Sequence, residues 1–205
     1  MPKIVDIESR RAQFVAASLD VIANEGVAGA TMRRIAAQAG ATTGAITNYF
    51  EGREALLIEA VRAAHNAAGL RMRHAAQDGA TAAERLKAVV LQALPLDAVR
   101  MREWKVWSAF RSALHGRSSL RAANQAGYGN WRRYLQTLLE PICIDADSVR
   151  RESSLLMALV DGIGFRLAAM TGTAEQLAVE QRGATVDILF YLNAIGRPQT
   201  RREGP

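Results

Sequence analysis

Residues 39–50 read AGATTGAITNYF, which gathers three hydroxyls (Thr42, Thr43, Thr47), an amide (Asn48) and a phenol (Tyr49) around two glycines. These groups suit recognition of a nucleic acid. A threonine hydroxyl donates to a phosphate oxygen, and an asparagine amide matches the donor–acceptor edge of adenine. Gly44 and Ala45 are small enough to let a backbone approach a groove closely. As a helix chosen for its own stability the stretch is poor, because threonine and asparagine are mediocre helix formers and an interior glycine costs roughly 1 kcal/mol against alanine. Ile46 and Phe50 stand four apart, so one side is anchored while the other is polar. That composition fits a helix shaped for a partner.

The elements that would position these groups are a pair of short helices. The spacing predicts one at about 31–38, capped by Thr31, with Ile35, Ala36 and Ala39 turned inward. A turn at Gly40 leads to the next, which extends to Phe50. Together they read as a helix-turn-helix, whose second helix lies in the major groove. Thr42 caps that helix, and with Thr43 it offers hydroxyls to phosphate at the positive end of the helix dipole. Thr47 and Asn48 reach base edges or phosphates, and Tyr49 reaches the DNA backbone. Arg33 and Arg34 on the preceding helix fit a phosphate contact and a solvated face equally.

Apolar residues at helical spacing recur along the whole chain of 205 residues, and period-two alternation is nearly absent. Helices are predicted at about 8–25, from Gly52 onward, and at 81–93, 101–115, 118–140, 147–171 and 174–195. The expected fold is therefore all-α with about nine helices: a DNA-binding domain over 1–53, a larger helical domain over 54–196, and a basic, proline-containing tail over 197–205 expected to be disordered.

The net charge of +6 allows a polyanionic partner without demanding one. Cys143 is the single cysteine, so no internal disulfide forms and a reducing compartment fits. The first residues lack an apolar signal region, and no apolar run approaches the ~18 residues of a membrane span. A soluble cytoplasmic protein is expected. Enzymatic chemistry finds little to use: His65, His74 and His115 lack metal-ligand spacing, Cys143 has no neighbouring histidine, and no glycine-rich phosphate loop follows a strand. Neither a cofactor nor a metal is expected. The alternative function is an all-helical enzyme or a scaffold without DNA binding.

The larger domain exceeds what a DNA reader needs for support. On helical spacing Trp104, Trp107 and Arg111 share a face, with Phe110 at its edge; Asn124, Tyr128, Trp131 and Leu135 share another. These faces read either as an aromatic core or as a small-molecule pocket, since such pockets are mostly apolar with a few placed polar groups.

TMRRIAAQAGATTGAITNYFEGREALL, with the preceding FVAASLDVIANEGVAGA, resembles the DNA-binding domain of the TetR family of bacterial repressors over about residues 9–57. The resemblance implies operator contacts at Thr42, Thr43, Gly44, Ala45, Thr47, Asn48 and Tyr49, and a phosphate contact at Arg53, where the family has lysine. Thr47 stands where the family often has an aromatic residue, and Glu51-Gly52 replaces a commoner proline-serine entry. Roughly 101–180, including DGIGFRLA, resembles the C-terminal domain of BetI-type regulators, whose founding member responds to choline. That likeness implies an effector site, for which a choline-like cation is one candidate: aromatic faces attract a quaternary ammonium and Asp161 would be its counter-charge. It also implies that the last two helices form a four-helix bundle with a second copy, through Leu156, Leu159, Ile163, Val186 and Leu189. The whole reads as a ligand-responsive homodimeric repressor on a near-palindromic operator, with double-stranded DNA, a second copy and a small molecule as partners and no membrane.

Overall fold

The computed structural model describes residues 7–195; the 197–205 tail lies outside the described residues. Among the described residues the regular structure is nine α-helices and no strand. They are α1 (Ile7–Gly29), α2 (Met32–Gln38), α3 (Thr43–Thr47), α4 (Arg53–Gln77), α5 (Ala82–Ala93), α6 (Ala98–Ala113), α7 (Ser118–Leu139), α8 (Ala146–Ala168) and α9 (Ala174–Ala194). None is long and apolar enough to cross a membrane.

Short oxygen-bearing side chains set most of the helix starts. Thr31 accepts from the Arg34 N–H, Thr42 from Ala45, Asp97 from Arg100 and Asp145 from Ser148. Thr81 and Thr173 form reciprocal capping boxes with Glu84 and Gln176. Each cap satisfies an otherwise orphaned backbone donor, an effect of about 1 kcal/mol. Asp97 explains why α6 begins at Ala98 rather than near 101, since its carboxylate holds the Arg100 N–H at 2.8 Å and starts the first turn earlier. The stop predicted at Gly26 appears as a break inside α1, where the backbone turns to φ 71°. The third helix is shorter than predicted: α3 ends at Thr47, and Asn48–Phe50 continue as a single turn with Tyr49 and Phe50 donating to the Ile46 carbonyl.

The chain divides into two compact units. The first comprises the described chain through Arg71 together with Pro95–Asn130; the second comprises Met72–Leu94 and the described chain from Trp131 onward. α4 and α7 each contribute residues to both. In the first unit one apolar cluster joins Phe14, Val21 and Ile22 of α1, Ile35 of α2, Ile46 of α3, Leu56, Leu57 and Val61 of α4, Val106 and Phe110 of α6, and Leu120 of α7. The helices that read as a DNA-binding domain thus share a core with α6 and the start of α7. Arg102 of α6 also ion-pairs with Asp20 of α1. In the second unit α9 packs against α8 and α5. Leu156, Met157 and Val160 of α8 and Ala184, Ile188 and Leu192 of α9 are buried there. Tyr191 donates a 2.6 Å hydrogen bond to Glu152, and Arg166 pairs with Glu180.

Candidate nucleic-acid interface

The turn between α2 and α3 depends on Gly40, whose backbone lies at φ 63°, a left-handed conformation that glycine adopts without the steric cost of a Cβ. The turn brings Thr42 to the start of α3, where its oxygen accepts from the Ala45 N–H at 3.2 Å. Its own O–H remains free to donate outward. Ile46 is fully buried and Phe50 nearly so, which seats α3 on the first unit's core. The Tyr49 ring packs on Phe14 with centroids 5.5 Å apart, and Phe50 meets Phe14 edge-on at 6.4 Å. Arg11 completes the seat: it donates to the Tyr49 carbonyl, pairs with Glu59 and lies 4.5 Å from the Phe50 ring centroid.

The opposite side of α3 is exposed. Thr42, Thr43, Gly44, Thr47 and Asn48 all face solvent, whereas Ala45 and Tyr49 are half-buried. The Thr47 hydroxyl donates back to the Gly44 carbonyl at 2.9 Å, which orients it along the helix. Thr31 is exposed and engaged as the α2 cap, and Arg33 is exposed beside it. Arg34 is held by Glu25 at 2.7 Å.

Arg53, expected to contact phosphate, is also engaged within its own chain. It is half-buried, and its guanidinium donates to the Ala30 carbonyl at 2.8 Å and to the Val27 carbonyl. It therefore clamps the end of α1 to the link before α2. Desolvation and the nearby Arg117 lower its pKa, while Glu54 opposes them.

The aromatic residues divide between the units. Trp104 and Phe110 are buried, and Phe110 belongs to the core that holds Phe14 and Ile46. Phe110 thus serves packing and has no surface for a ligand, contrary to expectation. Trp107, Asn124 and Tyr128 are half-buried and Arg111 is exposed, all within the first unit. Trp131 and Asp161 belong to the second unit, where Trp131 meets Tyr134 at 6.5 Å.

His65 of α4 is the residue that sequence reasoning passed over. Its ring stacks on Trp107 at 5.9 Å and 20°, Tyr128 meets it edge-on at 6.2 Å, and its Nε2 lies 3.4 Å from the Asn124 Oδ1. Burial pushes its imidazole below the ordinary histidine value, and the Asn124 contact only partly opposes this. A Cβ on Gly127 would lie 2.3 Å from the His65 ring, so only glycine admits the ring at that point of α7. The available signal was its register: Val61, Ala68 and Met72 on the same stripe of α4 are buried.

On α8 and α9 the large exposed apolar side chains are Leu155, Leu159, Val179, Val186 and Phe190. Ile163 and Leu189 are half-buried. Leu156 corrects the expectation for this face. It is fully covered within its own chain and has no surface left for a second copy, whereas Leu155 and Phe190 are exposed.

A capped helix seated through Ile46 and Phe50, with hydroxyls and an amide facing outward, defines a helix-turn-helix of the kind that reads DNA. Residues 14–60 match the tetR family of bacterial regulatory proteins. Residues 82–190, more than half of the chain, match the C-terminal domain of the BetI-type transcriptional repressors. The chain belongs to the tetR family, in its BetI-type branch, and is a DNA-binding transcriptional regulator rather than an enzyme. It is 33% identical over 181 residues to the regulator BetI of Paraburkholderia phytofirmans, spanning 84% of this chain and 88% of that protein. It is 30% identical over 167 residues to PksA of Bacillus subtilis, spanning 80% and 82%. A transcriptional regulator from Rhodococcus sp. Rha1 superposes with TM-score 0.76 at 25% identity, covering 91% of this chain and 97% of that one. A regulator from Saccharomonospora viridis, solved in complex with choline, shares the fold with TM-score 0.75 at 22% identity, covering 89% and 96%.

Proposed function

We propose that the protein is a homodimeric, ligand-responsive repressor of the cytoplasm, reading a near-palindromic operator with α3. Residues 1–53 act as the DNA reader and 54–196 as the effector-binding and dimerisation part. The observation that carries the reading is the outward face of α3. In this account Asn48 reads a base edge, Thr47 contacts a base or the backbone, Thr42, Thr43 and Tyr49 hold phosphates, Gly44 and Ala45 permit close approach, and Thr31 and Arg33 approach the flanking backbone. Leu159, Val186 and Phe190, large and apolar on the outside, favour a second copy of α8 and α9 as their cover.

An effector acts on such a dimer only through a differential affinity for its two forms. The core shared by α1–α4 with Val106, Phe110 and Leu120 supports α6 and α7 as the elements that pass a ligand's effect to α3. The choline held by the Saccharomonospora neighbour makes a choline-like cation one candidate effector, although the polar groups around Trp107 favour a different class. A gel shift with genomic fragments tests the DNA reading. Retention of a discrete, competitor-resistant fragment is the expected result, and uniform weak binding to every fragment contradicts it.

A further inference from the structure

The Trp107 indole Nε1 is buried and has no hydrogen-bond acceptor. An N–H in that position normally has a partner, because burial removes the water that would otherwise satisfy it. The groups around it are well fixed. His65 lies against the indole at 5.9 Å, and its Nε2 faces the Asn124 Oδ1 at 3.4 Å, which leaves the Asn124 amide nitrogen as a donor. Trp104 meets the indole edge-on at 5.2 Å. The residue one turn before Trp107, Glu103, is a carboxylate, but both of its oxygens are held by Arg71 at 2.7 Å.

This constellation is rich in donors and has its negative charge neutralised. A quaternary ammonium needs an open aromatic face and a nearby anion. Here one face of Trp107 is stacked on His65, Tyr128 meets the imidazole edge-on, and the carboxylate on the Trp107 face is already paired. An oxygen acceptor, by contrast, would satisfy the indole N–H, and the Asn124 amide nitrogen is a second donor on the same His65-centred cluster.

We propose that Trp107 and Asn124, braced by His65, form the polar recognition point of the effector site. The effector is then a small molecule with a carboxylate or carbonyl oxygen on an apolar body, not a quaternary ammonium. The inference rests on the ligand-responsive reading above and identifies its ligand class. Gly127 is part of the same construction, because it leaves the space that lets His65 stand where it orients Asn124.

The test is a titration of the full-length protein without DNA, following the indole N–H resonances by heteronuclear NMR. Trp107→Phe assigns the Trp107 signal by its disappearance; if that variant fails to fold, Trp104→Phe and Trp131→Phe assign it by elimination. Benzoate, acetophenone and choline are the probes. Benzoate or acetophenone is expected to move the Trp107 signal downfield to saturation, and which of the two does so separates a carboxylate from a carbonyl ligand. Trp107→Phe is expected to weaken that ligand on the order of tenfold, the size of one lost hydrogen bond. The proposal is overturned if choline moves the signal, or if neither oxygen probe does. Because no operator enters the titration, a failure of DNA binding leaves its outcome readable.

Discussion

Helices α3 and α9 both turn a large part of their surface to solvent, and they expose opposite chemistries. α3 shows Thr43, Gly44 and Thr47, and α9 shows Val179, Val186 and Phe190, the last 79% exposed. The polar face is short and built of side chains that make directional bonds, which suits a partner read position by position. The apolar face belongs to a helix of 21 residues and is non-directional, which suits a partner held by area. A regulator that reads DNA as a dimer needs both, one for specificity and the other to set two readers at a fixed spacing.

The sharpest way to break this contrast is to charge the apolar face. Leu159→Asp or Phe190→Asp should yield single chains of 22.2 kDa by light scattering, where the wild type gives twice that mass. Operator affinity should fall by about 10³-fold or more, toward non-specific binding, because a lone half-site lacks the paired contacts. A charged variant that remains dimeric would place the interface elsewhere.

Changing the polar face should have a smaller and more selective effect. Asn48→Ala should cost about 1–3 kcal/mol on the operator if the amide makes a bidentate base contact, while binding to unrelated DNA stays nearly constant. Competition gel shifts check the ratio.

Arg53 sharpens the boundary between reading and support. Its bonds to the Val27 and Ala30 carbonyls predict that Arg53→Ala lowers unfolding stability by about 1–2 kcal/mol, a figure moderated by partial exposure. Arg53→Lys should recover little of this, since an ammonium lacks the fork that reaches both carbonyls. Denaturant melts of both variants decide the matter; full recovery by lysine would restore a purely electrostatic, phosphate-facing role.

The smallest effect should come from His65. Its native pKa lies below the unfolded value of 6.5, so the unfolded chain binds more protons in that window. Stability is therefore fully present above about 6.5 and declines as pH falls toward the lowered native value. In His65→Gln the melting temperature should lose this part of its acid dependence. An unchanged acid slope would mean that the imidazole titrates as it does in the unfolded chain.

Features set by near neighbours were the ones legible in the sequence. The caps at Thr31 and Thr42 and the turn at Gly40 are decided within four residues, so the helix-turn-helix could be placed closely. Asp97 is equally local, but the apolar pattern of α6 starts later than its cap, which hides the start at Ala98. Features decided by packing were not legible. Leu155 and Leu156 look alike in the pattern of α8, and only packing in the folded unit decides that Leu156 is the one covered. His65 lies 59 residues from Asn124, so three histidines that look scattered along the chain conceal one at an aromatic cluster. Phe110 carries the same residue type a pocket would use, yet the core around Phe14 claims it.

The central claim is that the outward face of α3 reads an operator in two symmetric copies. Selection of bound duplexes from a randomised library, carried out in parallel for wild type and Asn48→Ala, tests it most directly. The account predicts a near-palindromic wild-type site with half-sites about one helical turn or a multiple of it apart, and loss of preference at one matched position in each half with the alanine variant. An unpaired motif, or identical motifs from both proteins, would contradict it.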